Sequence, residues 1–522
     1  MDLIQSIKNL FFKGSERMNN SGVLQNLTDD PRIKMTPEEQ ARIKTAERYY
    51  AGLYTAQKGM PYNTVSYYNQ QSRLRTRHFN CLNMAKTCAN RLASILLNSS
   101  FDLSVELLDG SNSENLNKFV QSWITKSGLK QNLENKIERA IAVGGMAVRP
   151  YVDEYDNIKL SWIRADQFFN LEANTEEINE SAIASVKTQK LAGQTFYYTL
   201  LEFHQWHGTD YVISFELYKS DRKEIVGKQV PLGTDGMYNN LTSPVVYHNL
   251  QRPLFVYFKN PSENNLDAES PLGVGIVNNA QSILDAINYT YDAFIWETRM
   301  ARRKVFIPGS MMRPADSTHM GPAFNPDQDV YIATSESMNG DNQQITSVNP
   351  DMRVQEYEQA MQMHYNTLEN NVGLSYGTFS TNADGGVATA TQVNSENSMS
   401  HQTRESYLTA IDKFLTELVK SMLEIAQEPS FFTGDAKIPA VDIDNVKVNI
   451  HYDDSLFVDK DDQFKTDMMA VQDGIISKKT FLMRNYGYTE EQAENELQEI
   501  RNEAPEPVRG LPSLDDITDV GE

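Results

Sequence analysis

The chain has 522 residues, of which 40% are hydrophobic and 23% charged, a composition ordinary for a folded protein of several domains. Its formal net charge of -22 argues against a sequence-independent nucleic-acid binder, because such binding depends on cations that neutralise phosphates. We find no apolar run near the roughly 20 residues of a membrane span and no secretory signal, so we expect a protein made in the cytosol.

The first 35 residues predict a short amphipathic helix and a polar linker. Apolar residues recur at helical spacing within 2–14, and docking on the body explains them better than the alternative, a peripheral membrane contact. A second helix is predicted to begin at Thr36-Pro37-Glu38-Glu39, which has the pattern of a capping box with proline at the first helical position.

The segment 60–78 is predicted to be an exposed, ordered loop. It carries Arg73, Arg75 and Arg77 at alternate positions, which suits either phosphate binding or, as we favour, salt bridges between subunits. A helix predicted over 79–97 places both cysteines, Cys81 and Cys88, on one face, too far apart for a disulfide. Buried thiols in a reducing compartment explain them better than a metal or redox site.

Helices predicted over 114–127 and 129–144 lead into a strand over 147–152, with Gly144-Gly145 at the switch. In a nucleotide-binding unit such glycines follow a strand and precede a helix. Here the order is reversed and the sequence of a phosphate-binding loop is missing, so we predict no motor site.

Alternation at period two from 158 to 260 predicts an antiparallel β region. His204 and His207 invite a zinc interpretation. Three residues apart on a strand, however, they point to opposite faces, and no third ligand lies nearby in sequence. We therefore predict no metal there.

Residues 269–428 predict two long helices, over 269–303 and 350–373, around a small insertion with strands at 304–309 and 329–333. Each helix carries one apolar stripe. An isolated pair cannot bury both stripes within one subunit, so we expect neighbouring copies to cover them. The side chains predicted to pack in the pair are Ile283, Ile287, Tyr291, Phe294, Tyr357, Met361 and Leu368.

The stretch 374–388 is predicted to be a mobile loop, because it is too rich in glycine, serine, threonine and asparagine to hold a regular element. A long helix over 389–427 and a strand over 446–452 follow. The acidic stretch 453–462 lacks the glycine and distal glutamate of a calcium-binding loop, so helix capping is the preferred interpretation. Further helices are predicted over 459–473, 478–485 and 489–503, and disorder over 504–522.

Several short motifs stand in a fixed order along the chain. The first group is Ala140-x-x-x-Gly144-Gly145-x-Ala147, Tyr151-x-Asp153 and Trp162-Ile163-x-Ala165-Asp166-Gln167-Phe168. The second group is Asn264-Asn265-x-Asp267-x-x-Ser270-Pro271-Leu272-Gly273, Asp285, Gly373-Leu374 and Gly386-x-x-Thr389-Ala390-Thr391. In order and spacing, from about 40 to 475, they resemble the portal proteins of tailed bacteriophages, specifically the Gp6-like portals of siphophages.

The resemblance implies an α+β portal fold with no catalytic residue, no metal and no cofactor. Its parts would be an N-terminal helix and linker over 1–35, a mixed α/β wing over 36–268, stem helices over 269–303 and 350–373, a small α/β clip over 304–349, a tunnel loop over 374–388, a long wing helix and return strand over 389–454, a helical crown over 455–503 and an acidic tail over 504–522.

The resemblance also implies a dodecameric ring at one capsid vertex of the virion, assembled in the host cytoplasm, through which double-stranded DNA is packaged and ejected. The implied partners are the terminase, the head-to-tail connector, the major capsid and scaffolding proteins, and DNA bound without sequence specificity, with no membrane. The tunnel loop would face DNA through Ser375, Tyr376, Thr378, Thr381, Asn382 and Asp384.

A basic cluster, Arg299, Arg302, Arg303 and Lys304, stands where the first long helix is predicted to end. Complementing the C-terminal helix dipole is the favoured role, and transient contact with DNA phosphate in the channel is the alternative. A metal-dependent nuclease or protease would need carboxylates that converge on one site, whereas the acidic residues here are dispersed. Another capsid-associated interaction protein is the closer alternative, and a chain that stayed monomeric would favour it.

Overall fold

The computed structural model describes residues 23–68, 72–97, 101–174, 177–248, 250–301, 304–308, 331–334, 346–348, 351–380, 398–452, 460–488 and 490–503. In this part of the chain it has ten α-helices and several sheets, so the α+β class is confirmed. Two compact units are present, Met1–His451 and Tyr452–Glu522. The predicted N-terminal helix, most of the 304–349 insertion, residues 381–397 and the tail lie outside the described residues.

The helices form much as their apolar spacing predicts. In chain order they are α1 (Pro37–Tyr50), α2 (Met84–Leu97), α3 (Glu114–Ser127), α4 (Leu129–Val143), α5 (Ile276–Met300), α6 (Val354–Val372), α7 (Ser398–Gln427), α8 (Lys460–Gln472), α9 (Lys478–Tyr486) and α10 (Glu490–Glu503). Helix α1 is capped as expected, because the Glu39 N–H donates to Thr36 Oγ1 at 3.2 Å.

The strands form five separate sheets among the described residues. In chain order the strands are β1 (Val23–Leu24), β2 (Thr64–Tyr68), β3 (Leu74–His78), β4 (Asp102–Leu107), β5 (Gly145–Val152), β6 (Ile158–Arg164), β7 (Phe168–Asn170), β8 (Ser181–Leu191), β9 (Gln194–His207), β10 (Asp210–Ser220), β11 (Gly227–Val230), β12 (Val245–Tyr247), β13 (Val256–Lys259), β14 (Lys304–Pro308), β15 (Tyr331–Thr334), β16 (Thr346–Val348) and β17 (Val446–His451).

The largest sheet is the predicted antiparallel β region. Its strand order is β1-β11-β10-β9-β8-β7, with β12 also paired to β10. A smaller sheet has the order β13-β5-β6, and the long helix α7 packs on β13 and β5. Phe414 of α7 meets Phe258 of β13 with ring centroids 5.7 Å apart, so this helix is held by the body rather than standing apart from it.

Three sequence expectations are corrected. The segment 60–78 is a β-hairpin of β2 and β3 rather than a loop, because its alternating pattern is that of a strand pair. Helix α2 begins at Met84, so Cys81 precedes it and does not share a helix face with Cys88. The insertion has a third strand, β16, beside the two predicted, and it pairs antiparallel with β14.

The unit Tyr452–Glu522 is built from α8, α9 and α10. The N-cap Ser477 accepts the Thr480 N–H at 3.0 Å and so begins α9. Phe464 of α8 and Phe481 of α9 pack with ring centroids 5.3 Å apart. No helix in the described part of the chain is long and apolar enough to span a bilayer.

Candidate functional site

Helices α5 and α6 lie side by side in opposite directions. Near one end of the contact, Thr290 Oγ1 and His364 Nε2 lie 3.2 Å apart. Toward the other end, the rings of Phe294 and Tyr357 pack with centroids 5.5 Å apart. The pair is therefore an antiparallel helical hairpin, and the predicted partners Phe294 and Tyr357 do meet in it.

A polar cluster around Glu297 joins the last turns of α5 to the first turn of α6. Arg353 Nη2 lies 2.5 Å from Glu297 Oε2, and the Tyr357 hydroxyl donates to the same oxygen at 2.8 Å. These hydrogen bonds, the one from Arg353 first, lower the pKa of Glu297 to about 2. The carboxylate thus stays charged at any physiological pH and links the end of α5 to the start of α6.

The beginning of α5 is held by close backbone contacts with the α4–β5 turn. A Cβ added to Gly273 would lie 2.1 Å from the Gly144 carbonyl oxygen, and one added to Gly275 would lie 2.1 Å from the Ala142 carbonyl oxygen. Only glycine allows two backbone segments of the chain to approach so closely. The glycines of two separate sequence motifs therefore form one junction, which we call the α5 root.

Polar residues of the motif before α5 converge on the buried carboxylate of Glu39 in α1. Ser270 Oγ donates to Glu39 Oε1 at 2.6 Å, and Arg42 Nη2 lies 3.1 Å from the same oxygen. Asn264 Nδ2 donates to the Leu272 carbonyl at 3.1 Å and to Glu39 at 3.3 Å. Each buried polar group is thereby paired, which explains why this motif needs Asn, Ser and Gly at its positions.

The first half of α5 is covered by its own subunit. Ile283 and Ile287 are buried, and the helix packs here against α1, α2 and α4. The expectation that neighbouring copies cover the whole stripe is therefore wrong for these two residues, because they are already buried within a single chain. Charged substitutions there would unfold the subunit and would not test assembly.

The second half of the helix pair is less covered. Tyr291, Phe294, Tyr357 and Met361 are half-buried, whereas Leu368, close to the end of α6, is fully buried. Met363, Val354 and Tyr289 are exposed apolar or aromatic side chains on the same pair. The subunit alone leaves this part of the apolar surface in solvent.

The hairpin β2–β3 is fastened to α5 by a buried carboxylate that the sequence analysis missed. Arg77 binds Asp292 through two hydrogen bonds of 2.8 and 2.7 Å, and the Asn80 N–H donates to Asp292 at 2.9 Å. Burial works to raise the pKa of Asp292, but these hydrogen bonds outweigh it and hold the pKa below its ordinary value. The two residues lie 215 positions apart, so local sequence carries no sign of the pairing.

The stretch after α6 is only partly the loop that was predicted. Gly373 ends α6 in the left-handed conformation, with φ of 74°. The buried Glu369 then accepts the N–H groups of Phe379 and Ser380, at 2.5 and 2.9 Å, and the Ser380 hydroxyl at 2.8 Å. Residues 374–380 therefore form an ordered turn clamped by Glu369, which local sequence did not reveal.

This turn corrects one candidate DNA-facing residue. Ser375 is buried, and its N–H and hydroxyl exchange hydrogen bonds with Ser400 of α7 at 2.8 and 3.2 Å, so it is not presented to solvent. Tyr376 is exposed, and the half-buried Thr378 donates to the Ser375 carbonyl at 2.7 Å. Thr381, Asn382 and Asp384 lie outside the described residues.

The basic cluster is only partly described. Helix α5 ends at Met300, and the Ala301 N–H bonds back to the Glu297 carbonyl. Arg299 is exposed on the last turn, where a cation complements the helix dipole. Arg302 and Arg303 lie outside the described residues, and of Lys304 only its place at the start of β14 is given.

Of the two histidines considered for zinc, His204 has other partners. His204 Nδ1 lies 2.9 Å from the Tyr211 hydroxyl and Nε2 lies 3.0 Å from Glu202, so both ring nitrogens are occupied. Burial, with the charge of Arg149, lowers the pKa of His204 well below its ordinary value. Within the described ranges no group of three or more His, Cys, Asp or Glu side chains converges as a metal site requires.

The described structure is thus a mixed α/β body that carries a helix pair with exposed apolar positions. Residues 30–507 match the family model described as phage portal protein, SPP1 Gp6-like, and the chain belongs to this family. A search of the curated proteins finds no match. The family is structural rather than enzymatic, and membership implies a place at the capsid vertex of a virion, an oligomeric ring, and association with capsid and terminase.

Proposed function

We propose that copies of this chain form the ring-shaped channel at one capsid vertex through which double-stranded DNA is packaged and later ejected. The observation that carries the proposal is the α5–α6 pair. Its root is covered by its own subunit, whereas Met363, Val354 and Tyr289 are left exposed further along. A head-to-tail contact repeated around a closed ring would cover such positions in every copy. Twelve copies are expected by family resemblance.

DNA would meet the segment between α6 and α7. In this proposal Tyr376 and Thr378, together with Thr381, Asn382 and Asp384, line the narrowest part of the channel. The segment 374–388 carries a single charged residue, Asp384, so it does not grip phosphates and suits sliding contact. The net charge of -22 likewise favours passage over retention of DNA.

The remaining assignments follow from the position of each segment in the family. Residues 304–349 would form the clip that meets the terminase and later the head-to-tail connector, and 455–503 a crown inside the capsid. The major capsid and scaffolding proteins would surround the ring. Arg299, Arg302, Arg303 and Lys304 would complement the end of α5, with transient DNA contact as the sharper alternative.

Ring assembly can be tested at Met363, which is exposed on α6. Met363→Asp should leave the subunit folded by circular dichroism and lower the fraction of rings seen by light scattering and end-on negative-stain images, because a charge would be buried between copies. Met363→Leu keeps an apolar surface and is the matched control. Wild-type protein that stays monomeric would refute the proposal.

The channel role can be tested by deleting residues 381–385. Rings and proheads should form normally, while genome packaging falls, because the DNA-facing segment is shortened. A variant in which the same five positions are replaced by glycine and serine separates the length of the loop from its chemistry. Normal packaging rate and yield in the deletion variant would refute the assignment of this loop.

A further inference from the structure

The hairpin β2–β3 lies in a basic stretch of an acidic protein. No aspartate or glutamate occurs between Glu47 and Asp102, although the whole chain has a net charge of -22. A surface of this kind is complementary to most of the remaining surface of the same protein. A second copy is therefore an electrostatically suitable partner for it.

The hairpin presents one bound face and one open face. The register pairs Tyr67 with Arg75 and Tyr68 with Leu74, so these two pairs lie on opposite faces. The first face is held on α5, where Tyr67 packs on Trp296 with ring centroids 5.6 Å apart. The second exposes 73% of Tyr68 and 55% of Leu74. An isolated two-stranded hairpin has only marginal stability in water, and exposed apolar side chains often mark a binding surface. We therefore expect another surface to cover this apolar pair.

The attachment of this hairpin to α5 is firm. Arg77 forms its paired hydrogen bonds with the buried Asp292, and its guanidinium carbon lies 4.5 Å from the centroid of the Trp296 ring. Since the charged pair and the ring both hold Arg77, the open pair Tyr68 and Leu74 is presented in a defined direction.

The hairpin and α6 lie on opposite faces of α5. The hairpin contacts Asp292 and Trp296, whereas α6 contacts Phe294 and Glu297. At 3.6 residues per turn, the second pair projects about half a turn away from the first. The same level of α5 thus carries the hairpin on one side and the first turns of α6 on the other.

The first turns of α6 offer a surface of matching character. Met352, just before the N-cap of α6, and Val354 are exposed apolar side chains, and Glu356 and Glu358 are exposed carboxylates close to them in sequence. The hairpin offers the apolar pair on its open face, and the exposed Arg75 lies at the same end of the hairpin but on the other face, opposite Tyr67. Apolar groups and opposite charges are therefore available on two opposite faces of α5, and a head-to-tail contact would join the one surface of each copy to the other surface of the next.

We propose that the β2–β3 hairpin of each copy docks on the first turns of α6 of the next copy. Tyr68 and Leu74 would cover Met352 and Val354, and the long Arg75 side chain, exposed at the same end of the hairpin, would reach round from the other face to pair with Glu356 or Glu358. This inference rests on the proposed ring and names a contact that closes it.

Charge reversal tests the contact. Arg75→Glu should lower the fraction of rings about tenfold at a fixed subunit concentration near the assembly midpoint, since like charges then face each other. Combining it with Glu356→Lys or Glu358→Lys should restore rings in at least one of the two double variants. Lys118→Glu is the control. Lys118 forms an exposed ion pair with Glu114 outside the hairpin and α6, so this variant should assemble normally.

Cross-linking gives an independent measurement. Leu74→Cys combined with Val354→Cys should give a ladder of covalent oligomers under mild oxidation, whereas each single variant should give none. If wild-type chains form rings but Arg75→Glu assembles normally and no ladder appears, the hairpin contact is refuted while the ring stands. Intact rings that lose DNA in Arg75→Glu would assign the hairpin to phosphate instead and equally refute the contact. Wild-type chains that form no rings refute the underlying ring proposal.

Discussion

The two compact units of the chain bury their apolar side chains to very different degrees. In Met1–His451, helix α7 places Leu415, Leu418 and Met422 entirely out of solvent. In Tyr452–Glu522, Met469 is 64% exposed and Ile475 is 75% exposed. Among the described residues of this second unit, Ala493 is the one buried apolar side chain. The first unit has a core of its own, whereas the large apolar side chains described in the second unit are exposed or half-buried.

This difference in burial indicates which region of the chain is stable as a monomer. A small helical unit cannot bury enough surface to be firmly stable alone, and large exposed apolar patches mark surfaces that other chains cover. The same contrast recurs within α5, whose first half is buried by its own subunit and whose second half is not. We expect substitutions in the self-contained regions to act on the monomer, and substitutions in the uncovered regions to act on assembly.

The largest effect is expected at the α5 root. Gly273→Ala would place a Cβ 2.1 Å from the Gly144 carbonyl oxygen, so one backbone must move, at a loss of about 4 kcal/mol in the free energy of unfolding. Urea unfolding followed by circular dichroism measures this loss. Gly434→Ala, where a Cβ meets nothing within 4 Å, is the control. Equal stability of the two variants would contradict the close backbone contact.

The next effect is expected at the buried carboxylate under the hairpin. Asp292→Ala leaves the Arg77 guanidinium and the Asn80 N–H without their acceptor, and we expect a loss of about 3 kcal/mol. Asp102→Ala removes an exposed carboxylate paired with Lys130 at 3.1 Å and should change stability by less than about 1 kcal/mol. Similar losses in both variants, measured by urea unfolding, would show that the Arg77 pair does not hold the hairpin.

A pH effect is expected at Glu424 of α7. Burial raises its pKa to about 7 from an ordinary 4.5, although the N–H groups of Arg252 and Gln251 act in the opposite direction. The stabilisation by the protonated form is complete below about pH 4.5 and is lost as the pH rises to 7. Glu424→Gln stays neutral, so above pH 7 it should be more stable than the wild type by about 2 kcal/mol.

To test this, the urea unfolding midpoints of the wild type and of Glu424→Gln are each measured at pH 5 and at pH 8. The wild type should lose stability over this interval more steeply than Glu424→Gln. Glu114→Gln, at an exposed carboxylate, should follow the wild type. A wild type and a Glu424→Gln variant with parallel pH profiles would show that Glu424 is already ionised in the folded state.

The smallest effect on the monomer is expected in the second unit. Ile475→Ser removes an exposed apolar side chain, so the free energy of unfolding of the monomer should change by less than about 0.5 kcal/mol. Binding of a hydrophobic dye to the monomer should fall, because the exposed apolar area is smaller. A large loss of monomer stability would mean that this residue belongs to a core of its own unit.

Local patterns were sufficient for much of the fold. The N-cap at Thr36 before α1, the period-two strands β8 to β10 and the apolar spacing of α5, α6 and α7 depend on residues a few positions apart, and the helices of the second unit lie close to their predicted bounds. The family was recognisable from the order of its motifs and is confirmed by the match over residues 30–507. These features depend on short-range geometry, which sequence carries directly.

Only the tertiary structure decided which part of the molecule covers each surface. The Arg77–Asp292 pair joins residues 215 positions apart, and Glu369 clamps a turn that composition alone marked as a loose loop. Ile283 and Phe294 share one predicted stripe, yet helices of the same chain bury the first and only half-bury the second. The sequence shows that an apolar side chain is more stable when buried, but which residues bury it depends on packing across the whole molecule.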